Sequence, residues 1–142
     1  MRYLSIDYGV KRSGAAICDP SETIVSPLCV IRDRKNLLEK IVSLVKTEDA
    51  GAVVLGLPLN MDDSEGPQAK LVQDFAERLK KHINVPIYFQ DERLSSFSAE
   101  KKLACLELSK AKKKGHIDAV AAAEILEAFL ERKKQDGQVA RA

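Results

Sequence analysis

Four carboxylates sit where chain direction and residue type would let them work together. Asp7 ends a short β-prone run, Arg2 to Asp7; Asp91 and Glu92 directly follow Val85 to Gln90; Asp118 opens a stretch of helical periodicity. Two or more carboxylates within a few ångströms repel one another, and a divalent cation is the usual means of keeping them ionised together. An all-oxygen ligand set favours Mg²⁺ or Mn²⁺ over zinc. Taken singly, each acid has an ordinary explanation. Asp7 suits a turn carboxylate bonded to nearby amides, Asp118 suits the dipole of a helix start, and Asp91-Glu92-Arg93 suits a surface ion pair. Their joint placement at one sheet edge is what points to chemistry.

The surroundings of these acids add detail. Gly9 follows Asp7 at a turn, where the missing Cβ would let a phosphate or metal approach the backbone. Ala121 and Ala122, three and four residues after Asp118, share its helix face and would let that helix press against a sheet. High helix propensity explains the same alanines equally well. The loop Gly56-Leu57-Pro58-Leu59-Asn60, continued by Ser64-Glu65-Gly66-Pro67, is polar and joins an apolar run to a helix start, so Asn60, Ser64 and the helix N–H groups are candidates for holding a phosphate. From Lys101 to Lys114 there are six lysines against one acid, Glu107, a local charge of +5. Lysine runs are commonly solvated linkers, but Lys112, Lys113 and Lys114 would flank the acids where a polyanion backbone passes. His82 and His116 are too separated for a histidine site, and the nearness of His116 to Asp118 is a weak hint of contact with a leaving group.

These residues need elements to hold them. Arg2 to Asp7, Ser13 to Cys18 and Ile24 to Ile31 read as three strands in an antiparallel meander, the last near an edge because of Pro27. Leu37, Leu38, Ile41, Val42, Leu44 and Val45 then recur at helical spacing, with Asp33 as N-cap and Gly51 just past the end. Ala52 to Leu55 is wholly apolar, as in a central strand covered on both faces. Pro67 suits the first turn of a second helix with the apolar face Leu71, Val72, Phe75, Ala76 and Leu79. Val85 to Gln90 reads as a fifth strand, Ser98 to Leu108 as a third helix, Ser109 to Gly115 as a linker and Ile117 to Arg132 as a last helix. The order βββαβαβαα implies an α/β fold with a five-stranded mixed sheet and helices on both faces. Ligands in such folds gather at the carboxyl ends of parallel strands. Residues 1–134 read as one domain and 135–142 as a frayed tail.

Composition narrows the function. The chain has 142 residues, 45% of them hydrophobic and 31% charged, ordinary for a globular domain and unlike a disordered chain. A formal net charge of +2 excludes wrapping of nucleic acid by bulk charge, and 5% aromatic residues give no stacking platform for single strands. Cys18, Cys29 and Cys105 have no CxxC spacing, so a reducing compartment is expected. The charged N-terminal stretch does not read as a secretory signal, and no run of ~18 apolar residues is present for a membrane span. A cytoplasmic location is the expectation.

Four stretches together resemble the YqgF (RuvX) family: Ile6-Asp7-Tyr8-Gly9-Val10-Lys11-Arg12-Ser13-Gly14, Gly56-Leu57-Pro58-Leu59-Asn60-Met61-Asp62, Asp91-Glu92-Arg93-Leu94-Ser95-Ser96 and Ile117-Asp118-Ala119-Val120-Ala121-Ala122-Ala123. They occur in the family's order and at compatible spacing, from Met1 to about Arg132. The resemblance implies an RNase H-like fold and a Mg²⁺- or Mn²⁺-dependent nuclease that hydrolyses structured RNA, in 5′-end maturation of pre-16S rRNA. It implies Asp7, Glu92 and Asp118 as catalytic, metal-binding carboxylates, with Asp91 as a further ligand or a support behind them. Lys11, Arg12 and Arg93 become candidates for substrate phosphates. Two ions ~3.5–4 Å apart, bridged by Asp7, would activate water and stabilise the leaving oxygen. Asp63 departs from the glycine frequent in the family's loop. Holliday-junction cleavage on four-way DNA is the alternative substrate reading. A non-catalytic module that binds nucleic acid, or a ribosomal or transcription protein, is the alternative class. An actin-like ATPase ranks below both, because 142 residues leave no second lobe. Symmetric junction cutting would need a homodimer, whereas trimming one RNA end would not.

Overall fold

A computed structural model of the chain describes residues 1–60, 62, 64–92 and 113–136, and the side chains of these except 113–117 and 136. The elements are β1 (Tyr3–Asp7), β2 (Ser13–Cys18), β3 (Val25–Ile31), α1 (Leu37–Thr47), β4 (Ala52–Leu57), α2 (Pro67–Lys80), β5 (Ile87–Asp91) and α3 (Lys113–Asp136). The five strands form one sheet in the order β3-β2-β1-β4-β5. β1 runs antiparallel to β2 and parallel to β4, β2 antiparallel to β3, and β4 parallel to β5. The mixed sheet expected from the sequence is therefore present. The helix expected over Ser98 to Leu108 and the positions of Asp63, Arg93, Lys112 and the last six residues lie outside the described residues.

Period-2 alternation divides each strand between two cores. Leu4, Ile6, Val53, Leu55 and Ile87 pack on one face with Leu37, Ile41 and Val45 of α1 and Val72, Phe75 and Leu79 of α2. Tyr3, Ala52 and Val54 pack on the other with Ile125, Leu126, Phe129 and Leu130 of α3. β4 is buried along nearly its whole length, as expected for a strand covered on both sides. Pro27 sits in the edge strand β3 opposite Ala16, where the register shifts, so the missing N–H falls at a bulge.

Several boundaries differ from the sequence reading, each for a local reason. Asp33 does not cap α1: its carboxylate accepts the amides of Lys35 (3.1 Å) and Asn36 (3.4 Å) in a turn before the helix, and Asn36 takes the cap position. The far end closes at Asp49 rather than Gly51. Asp49 adopts φ 51° and its N–H reaches the Lys46 carbonyl, while that of Ala50 reaches Val45. Leu71 lies exposed on α2, and Ala69 takes the buried place. β5 is shifted to include Asp91. α3 begins at Lys113, four residues before the expected start, so Lys113 and Lys114 are helical rather than linker. Among the described residues no helix is long and apolar enough to cross a membrane.

Candidate active site

The topology brings Asp7, Glu92 and Asp118 to one face at the carboxyl ends of β1 and β5. In β1 the side chains of Tyr3, Ser5 and Asp7 alternate onto the α3 face, and Ser5 Oγ donates to the Ala122 carbonyl at 2.7 Å. Asp7 pairs in register with Gly14 of β2. A Cβ on Gly14 would collide with the Asp118 carbonyl oxygen, so α3 crosses β2 in backbone contact and delivers Asp118 beside Asp7. Asp118 is the sixth residue of α3 rather than its first, and the dipole of a helix start no longer explains it. Glu92 follows β5. A Cβ on Gly56 would meet Glu92 Oε1 at 2.6 Å and Ile125 Cδ1 at 2.7 Å, which places the Glu92 carboxylate on the α3 face as well. Asp91, one residue earlier, pairs with Leu57, and alternation directs it to the opposite face, with Ile87 and Phe89.

The electrostatics follow from this crowding. Asp7 is pushed up to about 8, first by burial, then by the charge of Glu92 and a hydrogen bond between the two carboxyls, then by the charge of Asp118. Glu92 is also raised, by burial first; the hydrogen bond from Asp7 opposes this and the charge of Asp91 adds to it. The two therefore share a proton, with Asp7 as donor and Glu92 as acceptor. Asp118 Oδ2 accepts from Arg12 Nε in a direct ion pair. Among the described residues no group of three or more Asp, Glu, His or Cys side chains is gathered closely enough to hold an ion as it stands. The Asp7–Glu92 hydrogen bond and the Arg12–Asp118 pair each engage members of this carboxylate group.

The other expected site residues fall in different places. Gly9 donates its N–H to Ser13 Oγ at 3.1 Å, and a Cβ there would strike the Arg12 carbonyl, so a tight turn accounts for this glycine. Lys11 is exposed beside that turn. Asn60 and Ser64 bind each other, backbone N–H to carbonyl and Nδ2 to Oγ, both at 2.9 Å, and Ser64 Oγ donates to Asp62 at 2.5 Å. The loop closes on itself. Ala122 packs fully buried against the sheet while Ala121 is half-exposed, so Gly14 does what was expected of Ala121. Two features escaped the sequence reading. One is the Arg12–Asp118 pair, a tertiary contact. The other is Gln90, fully buried between Tyr88 and Glu92 in β5, with neither amide atom hydrogen-bonded among the described residues. Period-2 alternation would have put it on the face of Glu92.

The RuvX family profile, described as "Holliday junction resolvase", matches residues 1–132. The chain belongs to the RuvX family. Relatives within the family include a protein of Roseiflexus sp. (strain RS-1), 40% identical over 132 residues, 92% of this chain and 94% of that one. Another, from Sulfurihydrogenibium sp. (strain YO3AOP1), is 41% identical over 133 residues, 92% and 90%. Both carry the name "Putative pre-16S rRNA nuclease". Among solved structures, Thermus thermophilus RuvC in complex with a Holliday junction substrate superposes with a TM-score of 0.64 at 13% identity, over 100% of this chain and 99% of that one. The fowlpox virus resolvase bound to Holliday junction DNA gives 0.55 at 14%, over 92% and 97%. At such identities the likeness concerns the fold, and it makes this RuvX-family chain RNase H-like, as its sequence implied.

Proposed function

We propose that this chain is a divalent-metal-dependent endonuclease that hydrolyses phosphodiesters in structured RNA, at the 5′ end of pre-16S rRNA. The observation that carries the reading is the buried, proton-sharing pair Asp7–Glu92 with Asp118 electrostatically coupled to it. A carboxyl held protonated to about 8 by burial and by two like-charged neighbours is a site short of positive charge. Its donor set is oxygen only, which fits Mg²⁺ or Mn²⁺. Asp7, Glu92 and Asp118 would hold the metal, two ions in the fullest form of the site, and Asp91 on the other face would act on Glu92 by charge alone. When bound, the metal supplies an activated water and neutralises charge on the phosphate. Metal binding would displace the proton between Asp7 and Glu92, and Gln90, on the face of β5 that carries Glu92, would orient that carboxylate through its amide. Lys11 and Arg12 at the β1–β2 turn, with Arg93 and the lysines 112–114, are the groups for substrate phosphates.

The family's description as a Holliday junction resolvase supports a second substrate, a four-way DNA junction. One experiment tests both. Labelled pre-16S rRNA and a synthetic four-way junction are incubated with Mn²⁺ and either the wild type or Asp7→Asn. Cleavage of the RNA that vanishes in the variant is expected. Cutting of the junction alone would move the substrate to DNA, and equal cutting by a folded Asp7→Asn protein would sink the site assignment.

A further inference from the structure

On the sheet face opposite the acids, a cavity of about 520 Å³ opens between the start of α1, helix α2 and the end of β1. Its floor is apolar: Tyr8 and Phe75 are buried with ring centroids 5.0 Å apart, and Leu37 is buried beside them. Its rim is cationic. Arg34, Lys35 and Arg78 line it, all three exposed, and no carboxylate does so among the described residues. None of these three side chains is in an ion pair among the described residues. Arg78 lies over the Phe75 ring, 5.5 Å from its centroid, which leaves the other face of its planar guanidinium for a second flat group. The N-terminus of α1 also opens here without a side-chain cap, because the Asn36 amide donates to Asp33 at 2.7 Å instead.

Three cations that line an apolar floor and are in no ion pair among the described residues favour an anion joined to a flat apolar body. The volume is many times that of a bare phosphate and falls in the ~300–1,000 Å³ range of small-ligand sites. Tyr8 directly follows Asp7, so the cavity lies at the same end of β1 as the acids. We propose that it is a binding site for a nucleoside 5′-phosphate unit, with the phosphate on Arg34, Lys35 and the edge of Arg78 and the base stacked on the outer face of the Arg78 guanidinium. The same chemistry is presented by a free nucleotide and by one residue of a single strand. Assigning the unit to the substrate strand rests on the nuclease reading, whereas the nucleotide site itself does not.

The test uses the full chain without metal, so that cleavage plays no part in it. AMP, adenosine, inorganic phosphate and hexaadenylate are titrated separately and followed by amide chemical shifts. AMP is expected to saturate with shifts at residues 34–38 and 75–78, and adenosine and inorganic phosphate each to bind at least tenfold more weakly. The exposed double variant R34Q/R78Q is expected to lose at least tenfold in AMP affinity while its remaining spectrum stays folded. Lys35→Gln alone gives a second, milder reading of the same loss. Hexaadenylate binding tighter than AMP and weakened by R34Q/R78Q would assign the site to a nucleic-acid strand, and AMP binding with hexaadenylate excluded would assign it to a free nucleotide. No saturation by AMP at millimolar concentration, equal binding of inorganic phosphate and AMP, or full affinity in R34Q/R78Q would each overturn the proposal.

Discussion

At Asp7 the fold keeps a proton that water would remove. The carboxyl titrates near 8 against an ordinary value of 3.8, chiefly because it is buried and faces Glu92. Between those two values the folded chain binds a proton that the unfolded chain has lost, so stability falls as pH rises through the window and the loss is complete only above about 8. In EDTA the wild type is therefore expected to melt several degrees lower at pH 8.5 than at pH 5.5, since about 1 kcal/mol shifts Tm by about 2–4 °C at this size. Asp7→Asn, which cannot ionise, should flatten that slope and melt above the wild type at pH 8.5. Thermal melts at the two pH values decide it, and parallel slopes for the two proteins would remove Asp7 as the cause. Gln90 makes a matching case. Its buried amide has no partner among the described residues, and leaving such a group unsatisfied costs about 1–3 kcal/mol. Gln90→Met, similar in volume and without that cost, is expected to raise Tm while slowing cleavage, the signature of a polar group kept for a site rather than for the fold. A stabilised variant that cuts at the wild-type rate would deny Gln90 any part in the chemistry.

At the scale of elements, the decisive contact is the crossing of α3 over β2. Gly14 is fully inside that contact, with the Asp118 carbonyl where a Cβ would stand. Gly14→Ala must push the start of α3 outward, at a cost of about 1–3 kcal/mol for the overpacking. Because Asp118 rides on the displaced turn, cleavage should fall by more than stability does, and activity measured well below the variant's Tm would separate the two. Wild-type activity in a destabilised Gly14→Ala would show that the crossing serves packing alone. The strands were legible because their residues are apolar at period 2 or throughout, and Pro67 and the apolar stripe of Val72, Phe75 and Leu79 marked α2. The ends of helices were less so, since short-range chemistry competes there. Asp33 has the right side chain for a cap and uses it in a preceding turn. Lys112-Lys113-Lys114 followed by Gly115 has the composition of a linker, yet α3 already includes Lys113, Lys114 and Gly115, because the helix is held by its long apolar face rather than by local propensity. The acids at β5 were legible as a pair, but only their register separates them: Glu92 joins Asp7 and Asp91 turns away. Contacts between distant segments, Arg12 with Asp118 and Asp7 with Glu92, carry no local signal at all.

The whole molecule is a sheet with two unlike faces meeting at one end. One face carries the acids under α3, the other the cationic cavity beside α1 and α2, and the carboxyl end of β1 is common to both. With a net charge of only +2, attraction to a polyanion must come from such local arrangements and, on the proposed reading, from metal held at the acids. Metal binding should then appear as stability, because the folded chain brings Asp7, Glu92 and Asp118 to one end of the sheet and the unfolded chain does not. At a metal concentration of about 100 Kd the gain is about 2.7 kcal/mol, which at this size is about 5–10 °C in Tm. Mn²⁺ or Mg²⁺ is expected to raise the melting temperature of the wild type by that order at pH 8, where the shared proton is half lost and competes least. At pH 6 the proton still occupies the pair and the same metal concentration should give a smaller shift. Asp7→Asn, with its amide in place of the central carboxylate, should show little shift at either pH. A wild type whose melting temperature ignores both metals, in a protein that nevertheless binds RNA, would turn the proton-sharing pair into a structural feature and the chain into a binding module.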